Sequence, residues 1–312
     1  MDVAQPLRTR RDLLRLLILI SPSLLWLVIF FLLPLLLVFA ISFGQRGTYG
    51  GVQWTPTLAN YARLLDPLYL RIFLRTLFIA GTATVLCALI GYPMAFFIAT
   101  RPARWRNAFL LLLVIPFWTN FLVRMYAWLF LLRDNGPINV LWTEGIHAAV
   151  AWLAAAIPAP FWEPLLQATS TPLRLFGTDG AVIVGLVYAW LPDMVLPCYA
   201  AVERLDPRLV EAAQDLYATR VRAFLRVVLP LTRSGLITGS VLVFVPCVGA
   251  YVTPDLLGGA RTVMIGNVIY SQFMMARDYP FGSALSFVLM ALMLVATVAY
   301  FRLGGEGGRG RG

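Results

Sequence analysis

ERLDPRLVEAAQDLYATRVRAFLRVVLPLTR, residues 203–233, is a polar stretch that separates two strongly apolar segments of this chain. Its beginning combines a helix N-cap, Asp206, with a proline at the first helical position. Apolar side chains then recur at helical spacing, and a second start at Thr219 is followed by another apolar periodicity that ends at Pro230. The stretch therefore predicts two short amphipathic helices instead of an unstructured connection.

Outside this stretch the composition is that of an integral membrane protein. Apolar residues make up 60% of the 312 positions and charged residues 13%, with a mean hydropathy of +0.79. Soluble domains carry about 45–50% apolar and about 25% charged residues. We predict an all-α fold, because six segments are long enough to cross a bilayer as helices. They run near Leu13 to Phe43, Ile72 to Ala99, Phe109 to Leu132, Ala181 to Val202, Gly235 to Val252 and Phe281 to Phe301.

The arginines predict the orientation of these spans. The chain has no lysine, and 16 of its 25 arginines fall in the N-terminal segment, the connections after spans two and four, and the tail. The positive-inside rule puts those regions, both termini and the loop 203–233 in the cytoplasm. The net charge of +10 then reflects membrane orientation and contact with lipid, so we expect no nucleic-acid partner. The connection at 141–178 would be outer, with a helix near 146–157 in the membrane interface; its role stays open.

Residue types exclude most catalysis. Without lysine the chain cannot form a phosphate-binding loop of the usual kind or a Schiff base. His147 is the only histidine, and Cys87, Cys198 and Cys247 lie in apolar runs without paired spacing, so we expect no metal site and no catalytic residue. An intramembrane hydrolase is accordingly disfavoured.

The loop residues resemble a known motif. Glu211-Ala212-Ala213-Gln214-Asp215-Leu216-Tyr217-Ala218, followed by Val227-Val228-Leu229-Pro230, is similar to the EAA motif of ABC importer permeases. Every spacing of that motif, E-A-A, three residues, G, nine residues, I-x-L-P, is matched. Val227 occupies the isoleucine position of the motif, and Tyr217 occupies its glycine position.

Further stretches resemble the spermidine/putrescine permease group. They are PFWTNFLVRMYAW at 116–128, NGPIN at 135–139, YVTPDLLGG at 251–259, MIGN at 264–267 and PFG at 280–282.

The resemblance implies a type I importer permease in the bacterial inner membrane. Its partners would be two ATPase subunits that hold ATP and magnesium, a second homologous permease in a heterodimer, and an extracytoplasmic binding protein. The chain itself would bind no cofactor. The residues that match the coupling motif are Glu211, Ala212, Ala213, Leu216, Tyr217, Ala218, Leu229 and Pro230. We expect an N-terminal part at 1–69, a permease core at 70–303 and a flexible tail at 304–312.

Tyr217 allows two interpretations. Glycine adopts positive φ readily, whereas tyrosine in that conformation is strained. Either the turn is right-handed here, or Tyr217 fills an apolar gap on the ATPase. We favour the second, because its spacing from Leu209 puts it on the apolar face of the helix.

Two charges fall inside predicted spans. Arg124 would lie about 12 Å from the outer end of span three and Asp193 about 18 Å into span four, at 1.5 Å per residue. We hypothesise that they pair, either along a substrate path or as a static clamp. Asp255, Trp118 and Tyr126 are further candidates for this path, the aromatic rings through cation–π contacts or simply as packing.

Two alternatives remain open. An ion-coupled secondary transporter would use Asp193 and Arg124 as a relay, and would show an inverted repeat that this sequence lacks. Within the importer family, thiamine, iron, phosphonates or opines are other possible substrates.

Overall fold

The computed structural model describes residues 10–157 and 162–305, with side chains described for 19–157 and 162–298. Residues 1–9, 158–161 and 306–312, which include most of the predicted flexible tail, lie outside these ranges.

The described residues are almost entirely helical. In chain order the elements are α1 (Arg10–Leu27), a π-helical segment (Val28–Leu32), α2 (Leu33–Ser42), β1 (Gln45–Arg46), β2 (Val52–Gln53), α3 (Ala59–Arg63), α4 (Pro67–Ala99), α5 (Ala103–Val114), a 3-10 turn (Ile115–Trp118), α6 (Phe121–Leu132), α7 (Pro137–Val140), a π-helical segment (Leu141–Ile146), α8 (His147–Ala156), α9 (Trp162–Ser170), α10 (Asp179–Glu203), α11 (Pro207–Asp215), α12 (Arg220–Ala223), a π-helical segment (Phe224–Val228), α13 (Leu229–Leu231), α14 (Arg233–Gly249), α15 (Val252–Leu257), α16 (Ile265–Met274) and α17 (Tyr279–Gly305).

Among the described residues, four helices are long and apolar enough to cross a membrane alone. They are Leu19–Ser42, Pro67–Ala99, Asp179–Glu203 and Tyr279–Val298. Two bent pairs raise the number to six if each pair counts as one span: Ala103–Trp118 with Phe121–Ala156, at 90°, and Arg220–Leu231 with Arg233–Gly249, at 68°. A mostly helical fold with four to six candidate membrane spans is therefore confirmed, and the β1–β2 hairpin is an exception to the all-α prediction. Six spans are confirmed only if both bent pairs are counted in this way.

The larger of two compact units, Pro67–Tyr270 with Ala291–Gly312, is built on α4, α10 and α14. Small residues let these helices approach closely. A Cβ at Gly91 would lie 2.9 Å from Met194 Cγ, and one at Gly239 would lie 2.8 Å from Met194 Sδ. Because membrane helices associate through tight packing of this kind, Met194 is a central element of this core and is fully buried.

The smaller unit, Met1–Asp66 with Ser271–Met290, is held by polar contacts and aromatic packing. The Arg63 guanidinium lies 3.0 Å from the Asp278 carboxylate and 3.9 Å from the centre of the Phe281 ring. β1 and β2 form a short antiparallel hairpin, in which Gln45 is opposite Gln53. From this hairpin, Arg46 donates a 2.7 Å hydrogen bond to the carbonyl of Ala276. The predicted domain boundaries at 69/70 and 303/304 stay predictions.

Candidate functional site

The first half of the 203–233 loop contains a short helix that is largely exposed. Asp206 caps α11 by accepting a 3.0 Å hydrogen bond from the Arg208 N–H, and Pro207 occupies the first helical position. No residue of α11 is buried. Glu211 and Ala212 are exposed and Ala213 is half-buried. The first predicted amphipathic helix is thus confirmed; it lies beside α12 and the π-helical segment 224–228, and most of its residues are exposed.

The turn after α11 is a Schellman motif with tyrosine at the position that usually holds glycine. The Ala218 N–H donates to the Ala213 carbonyl at 3.1 Å, and the Tyr217 N–H donates to the Gln214 carbonyl at 2.9 Å. Tyr217 has φ +61°, so the backbone there is left-handed. This rules out the right-handed turn considered from the sequence. The conformation costs about 1–2 kcal/mol for a residue with a side chain.

The side chains at this turn point into solution. Leu216 is 82% exposed and Tyr217 is 93% exposed. Ala218 is half-buried and follows directly. Within the described chain nothing covers the tyrosine ring, so its strained backbone is not offset by packing of the ring inside this protein.

The second half of the loop is fixed to the helical core. Thr219 caps α12 by accepting from the Arg222 N–H at 3.3 Å, and Ala223 and Val228 are buried. Phe224 makes edge-on contacts with Tyr92 and Phe96 of α4, with ring centres 5.6 and 5.3 Å apart. The second predicted helix is confirmed. The helical path extends to Leu231, one residue beyond the predicted end at Pro230, and then breaks at Thr232.

An ion pair lies where the loop begins. Arg106 Nη1 of α5 is 2.9 Å from Glu203 Oε1 at the end of α10. Leu229 and Pro230, at the other end, form α13 immediately before α14. The loop is therefore connected to the core at both ends, while no residue of α11 is buried.

The third predicted span is not one continuous helix. After α5 the chain makes a 3-10 turn, and Thr119 and Asn120 are extended, with ψ 154° and 135°. The Asn120 side chain then caps α6 by accepting from the Leu122 N–H at 2.8 Å. The span from Phe109 to Leu132 was predicted as unbroken, and this was wrong because a local capping residue overrides the apolar run.

This break invalidates the predicted depth of Arg124, which lies in the first turn of α6. No ion pair joins Arg124 to Asp193; the guanidinium lies 4.5 Å from the Phe117 ring centre and 5.8 Å from that of Phe121. Its Nε and Nη1 atoms are buried and have no hydrogen-bond partner in the part of the chain that the structure describes. The predicted Arg124–Asp193 pair is wrong in this structure, because depth was counted along a single straight helix.

A cleft of about 220 Å³ lies where the broken third span meets the end of α14. Phe121, Trp190, Tyr251 and Thr253 contribute to its lining. Asn267 supports it by donating a 2.9 Å hydrogen bond to the carbonyl of Tyr251. Phe121, Tyr251 and Asn267 were not predicted from the sequence to be parts of a site. The signal that could have found them is the interruption of two apolar segments by residues that break or cap helices.

The predicted path residues have different locations. Trp118 is 78% exposed, and Tyr126 and Asp255 are also exposed. Asp193 is half-buried on α10. Asp193 is three positions after Trp190, which puts both on the same side of α10. Trp190 lines this cleft, but none of the predicted path residues does, and a role in transport for those residues stays a prediction.

His147 and the three cysteines are the other residues for which the sequence raised the question of a chemical role. The ring of His147 shares a 2.9 Å hydrogen bond with Thr169, and all three cysteines are buried thiols. Within the described residues no group of three or more His, Cys, Asp or Glu could hold a metal ion.

Broken apolar helices together with an EAA-type loop define a transporter permease, and comparison with known proteins identifies its family. Residues 88–304 match the model of the "binding-protein-dependent transport system inner membrane component". The chain belongs to this family, and the resemblance drawn from its sequence is confirmed.

The names of individual relatives are more specific than the description of the family. The spermidine/putrescine transport system permease protein PotB of Escherichia coli strain K12 is 41% identical over 277 residues, covering 89% of this chain and 93% of the relative. The inner membrane ABC transporter permease protein YdcU of the same strain is 35% identical over 257 residues, covering 80% of this chain and 76% of the relative. A crystal structure of a bacterial alginate ABC transporter, in complex with its pentasaccharide-bound periplasmic protein, contains a similar fold with a TM-score of 0.67. The identity is 17%, and the match covers 94% of both chains.

Proposed function

We propose that this chain is the permease subunit of an ATP-driven importer for polyamines such as spermidine or putrescine. The observation that carries the proposal is the 41% identity to a spermidine/putrescine permease over 89% of this chain. The loop at 203–233, with its exposed helix and its anchored second half, supports the same assignment. The chain would perform no chemistry of its own.

The proposed assembly has four kinds of component. This chain pairs with a second homologous permease in a heterodimer, two ATPase subunits bind on the cytoplasmic side, and a binding protein delivers substrate from outside. The arginine distribution supports an inner-membrane orientation with both termini and the 203–233 loop in the cytoplasm. ATP and magnesium are held by the ATPase subunits, and this chain binds no cofactor.

Coupling works through α11. The exposed helix enters a cleft on the ATPase, where Glu211 and the small Ala212 and Ala213 permit close contact. Leu216, Tyr217 and Ala218 present an apolar tip. When the ATPase subunits close, they push this helix, and the anchored half, with Leu229 and Pro230, transmits the movement to α14. The spans then alternate between outward-facing and inward-facing states.

The cleft at the broken third span is the proposed place of substrate passage. Protonated amines are attracted to the faces of aromatic rings, and Trp190 and Tyr251 supply such rings there. Asp193 adds a negative charge on the face that carries Trp190, and Asp255, Trp118 and Tyr126 extend the route. Arg124 keeps its positive charge, but its guanidinium lies against Phe117 and Phe121 and does not line the cleft.

The first experiment is co-purification of the transporter from native membranes with wild-type chain and with Glu211→Arg. We expect the wild type to bring down the ATPase and a second permease, and the variant to lose the ATPase but keep the permease. The matched control is Glu163→Arg, the same charge change on α9, where the glutamate is also exposed. Equal ATPase recovery in all three proteins would contradict the coupling role.

The substrate is tested by uptake of labelled spermidine and putrescine into proteoliposomes that hold the complete transporter. Asp193→Asn should lower polyamine uptake while assembly with the ATPase is unchanged. Unchanged uptake with unchanged assembly would remove Asp193 from the path. Uptake of thiamine, iron, a phosphonate or an opine instead of polyamines would correct the substrate but keep the importer.

The ion-coupled alternative predicts transport by this chain alone, without ATP. Family membership argues against it, and so does the absence of an Arg124–Asp193 pair between these two described residues. Transport by the purified single chain in liposomes without ATP would revive this alternative.

A further inference from the structure

Arginine and aromatic side chains form a continuous row where α4 ends and α5 begins. The guanidinium carbon of Arg101 lies 4.1 Å from the ring centre of Phe97, and that of Arg104 lies 5.4 Å from the ring of Trp105. Between them, Phe109 lies 5.7 Å from Phe97 and 6.1 Å from Trp105. An arginine therefore lies at each end of an aromatic surface.

This row borders a large apolar cleft. The cleft has a volume of about 580 Å³ and is lined from α4, α5 and α10 by residues such as Met94, Leu113 and Tyr188. Phe97 and Phe109 line it and also line a shallower hollow that includes Arg101 and Trp105. The volume is within the range of about 300–1,000 Å³ that is typical of small-ligand sites. A cavity with an apolar interior and a cationic opening has the form that an anionic amphiphile requires.

The charges at the opening are available. Arg101 and Arg104 are exposed, and neither forms an ion pair within the ranges that the structure describes. Arg106, two residues further on, is different because Glu203 already neutralises it at 2.9 Å. The two free guanidinium groups therefore give this opening a positive charge that an anionic headgroup would neutralise.

We propose that this cleft binds an anionic phospholipid, with an acyl chain between α4, α5 and α10 and the phosphate at the opening that carries Arg101 and Arg104. An apolar helix of a second permease would fill the cleft but would leave both arginines without a counter-charge. A phospholipid satisfies both features at once. Trp105 is of the type enriched at the level of the lipid headgroups, and anionic lipid is concentrated in the cytoplasmic leaflet where the proposed function puts this loop.

The experiment measures lipid retention by the assembled transporter in nanodiscs of phosphatidylcholine with a minor fraction of phosphatidylglycerol, using native mass spectrometry. The double variant Arg101→Gln/Arg104→Gln should retain phosphatidylglycerol about 25-fold less tightly, about 5-fold for each arginine near the membrane surface. Leu113→Trp, which adds bulk inside the cleft, should also lower retention. Arg71→Gln, an exposed arginine near the other end of α4, should retain the lipid as the wild type does.

Two results would overturn the proposal. One is equal retention of phosphatidylglycerol by the wild type, the double variant and Leu113→Trp. The other is a photo-cross-link from a probe at Leu112 to the second permease instead of to lipid, since this would show that a protein helix covers the cleft. Because lipid retention is read without substrate, these results are separate from the test of polyamine transport. Size-exclusion profiles of all variants, which report folding and assembly, accompany the measurement.

Discussion

The two halves of the 203–233 loop have similar lengths and similar apolar periodicity, yet only one of them is packed. α11 has no buried residue, whereas the segment from Arg220 to Leu231 buries Ala223 and Val228 and contacts α4 through Phe224. The comparison shows that an amphipathic pattern indicates a face that will be covered, but not by which molecule. In the second half of the loop, other helices of this chain cover that face. For α11, we propose that a partner protein covers it.

The difference also separates two mechanical roles. A helix that receives a push must be accessible, and a helix that transmits it must be attached. The Tyr92 hydroxyl contacts the Thr232 hydroxyl at the end of the attached half, which adds a polar contact to the aromatic packing of Phe224. Variants in each half should therefore fail in different ways.

The largest expected effect is in the anchored half. Phe224→Ala removes the ring that contacts Tyr92 and Phe96, and should lower the free energy of unfolding by about 2–3 kcal/mol, because truncating a packed aromatic residue leaves a cavity. Thermal unfolding of the complex in detergent measures it. Leu225→Ala is the matched control, since Leu225 is more than half exposed and should cost less than about 1 kcal/mol. Equal costs would show that the two halves are not distinguished by packing.

A smaller effect, of another kind, is expected at Tyr217. Tyr217→Gly relieves about 1–2 kcal/mol of left-handed strain but adds about 0.5–1 kcal/mol of backbone entropy cost, so stability should change little. Loss of an exposed aromatic anchor should instead weaken ATPase binding by about tenfold or more. Pull-down titration of the ATPase measures this.

Tyr217→Asn and Tyr217→Phe are the controls for that prediction. Asparagine tolerates positive φ without providing a large ring, and should weaken binding as glycine does. Phenylalanine keeps the ring and should bind as the wild type does. Undiminished ATPase binding by the glycine and asparagine variants would refute a contact role for the ring.

The smallest expected effect is at the root of the loop. Arg106 and Glu203 are 30% and 40% exposed, so solvent screens their ion pair and Arg106→Gln should cost less than about 1 kcal/mol of stability. Uptake of labelled substrate should fall by more than this small loss of stability would cause, because the pair fixes the position at which the loop begins. A charge-reversed pair, Arg106→Glu/Glu203→Arg, should restore uptake; no recovery would indicate that the pair does not position the loop.

The spans were predicted well where apolar runs coincide with continuous helices. Ile72 to Ala99 became α4 and Ala181 to Val202 became α10, with ends that differ by five residues or fewer. The break at Thr119 and Asn120 was missed because hydropathy does not report backbone conformation. Proline alone did not distinguish breaks from continuous helices, since Pro116 lies in the turn before the break whereas Pro93, Pro192 and Pro197 lie inside unbroken helices.

The EAA-type motif locates the candidate coupling site, but the backbone conformation of that site could not be derived from the motif. A tyrosine at a glycine position left the handedness of the turn open, and only the backbone at Tyr217 decides it. The Arg124–Asp193 pair failed for a related reason. Distances along a helix are predictable from the sequence only while the helix continues, and the break before α6 removes that condition.

The three fully buried thiols have a practical consequence for following the transport cycle. Cys87, Cys198 and Cys247 are each 0% exposed, and the chain contains no lysine. A thiol-reactive dye would therefore find a single accessible target if one cysteine were introduced at an exposed position such as Leu216 or Trp118. The natural sequence is in this respect already prepared for site-specific fluorescence and spin labelling, without prior removal of its own cysteines.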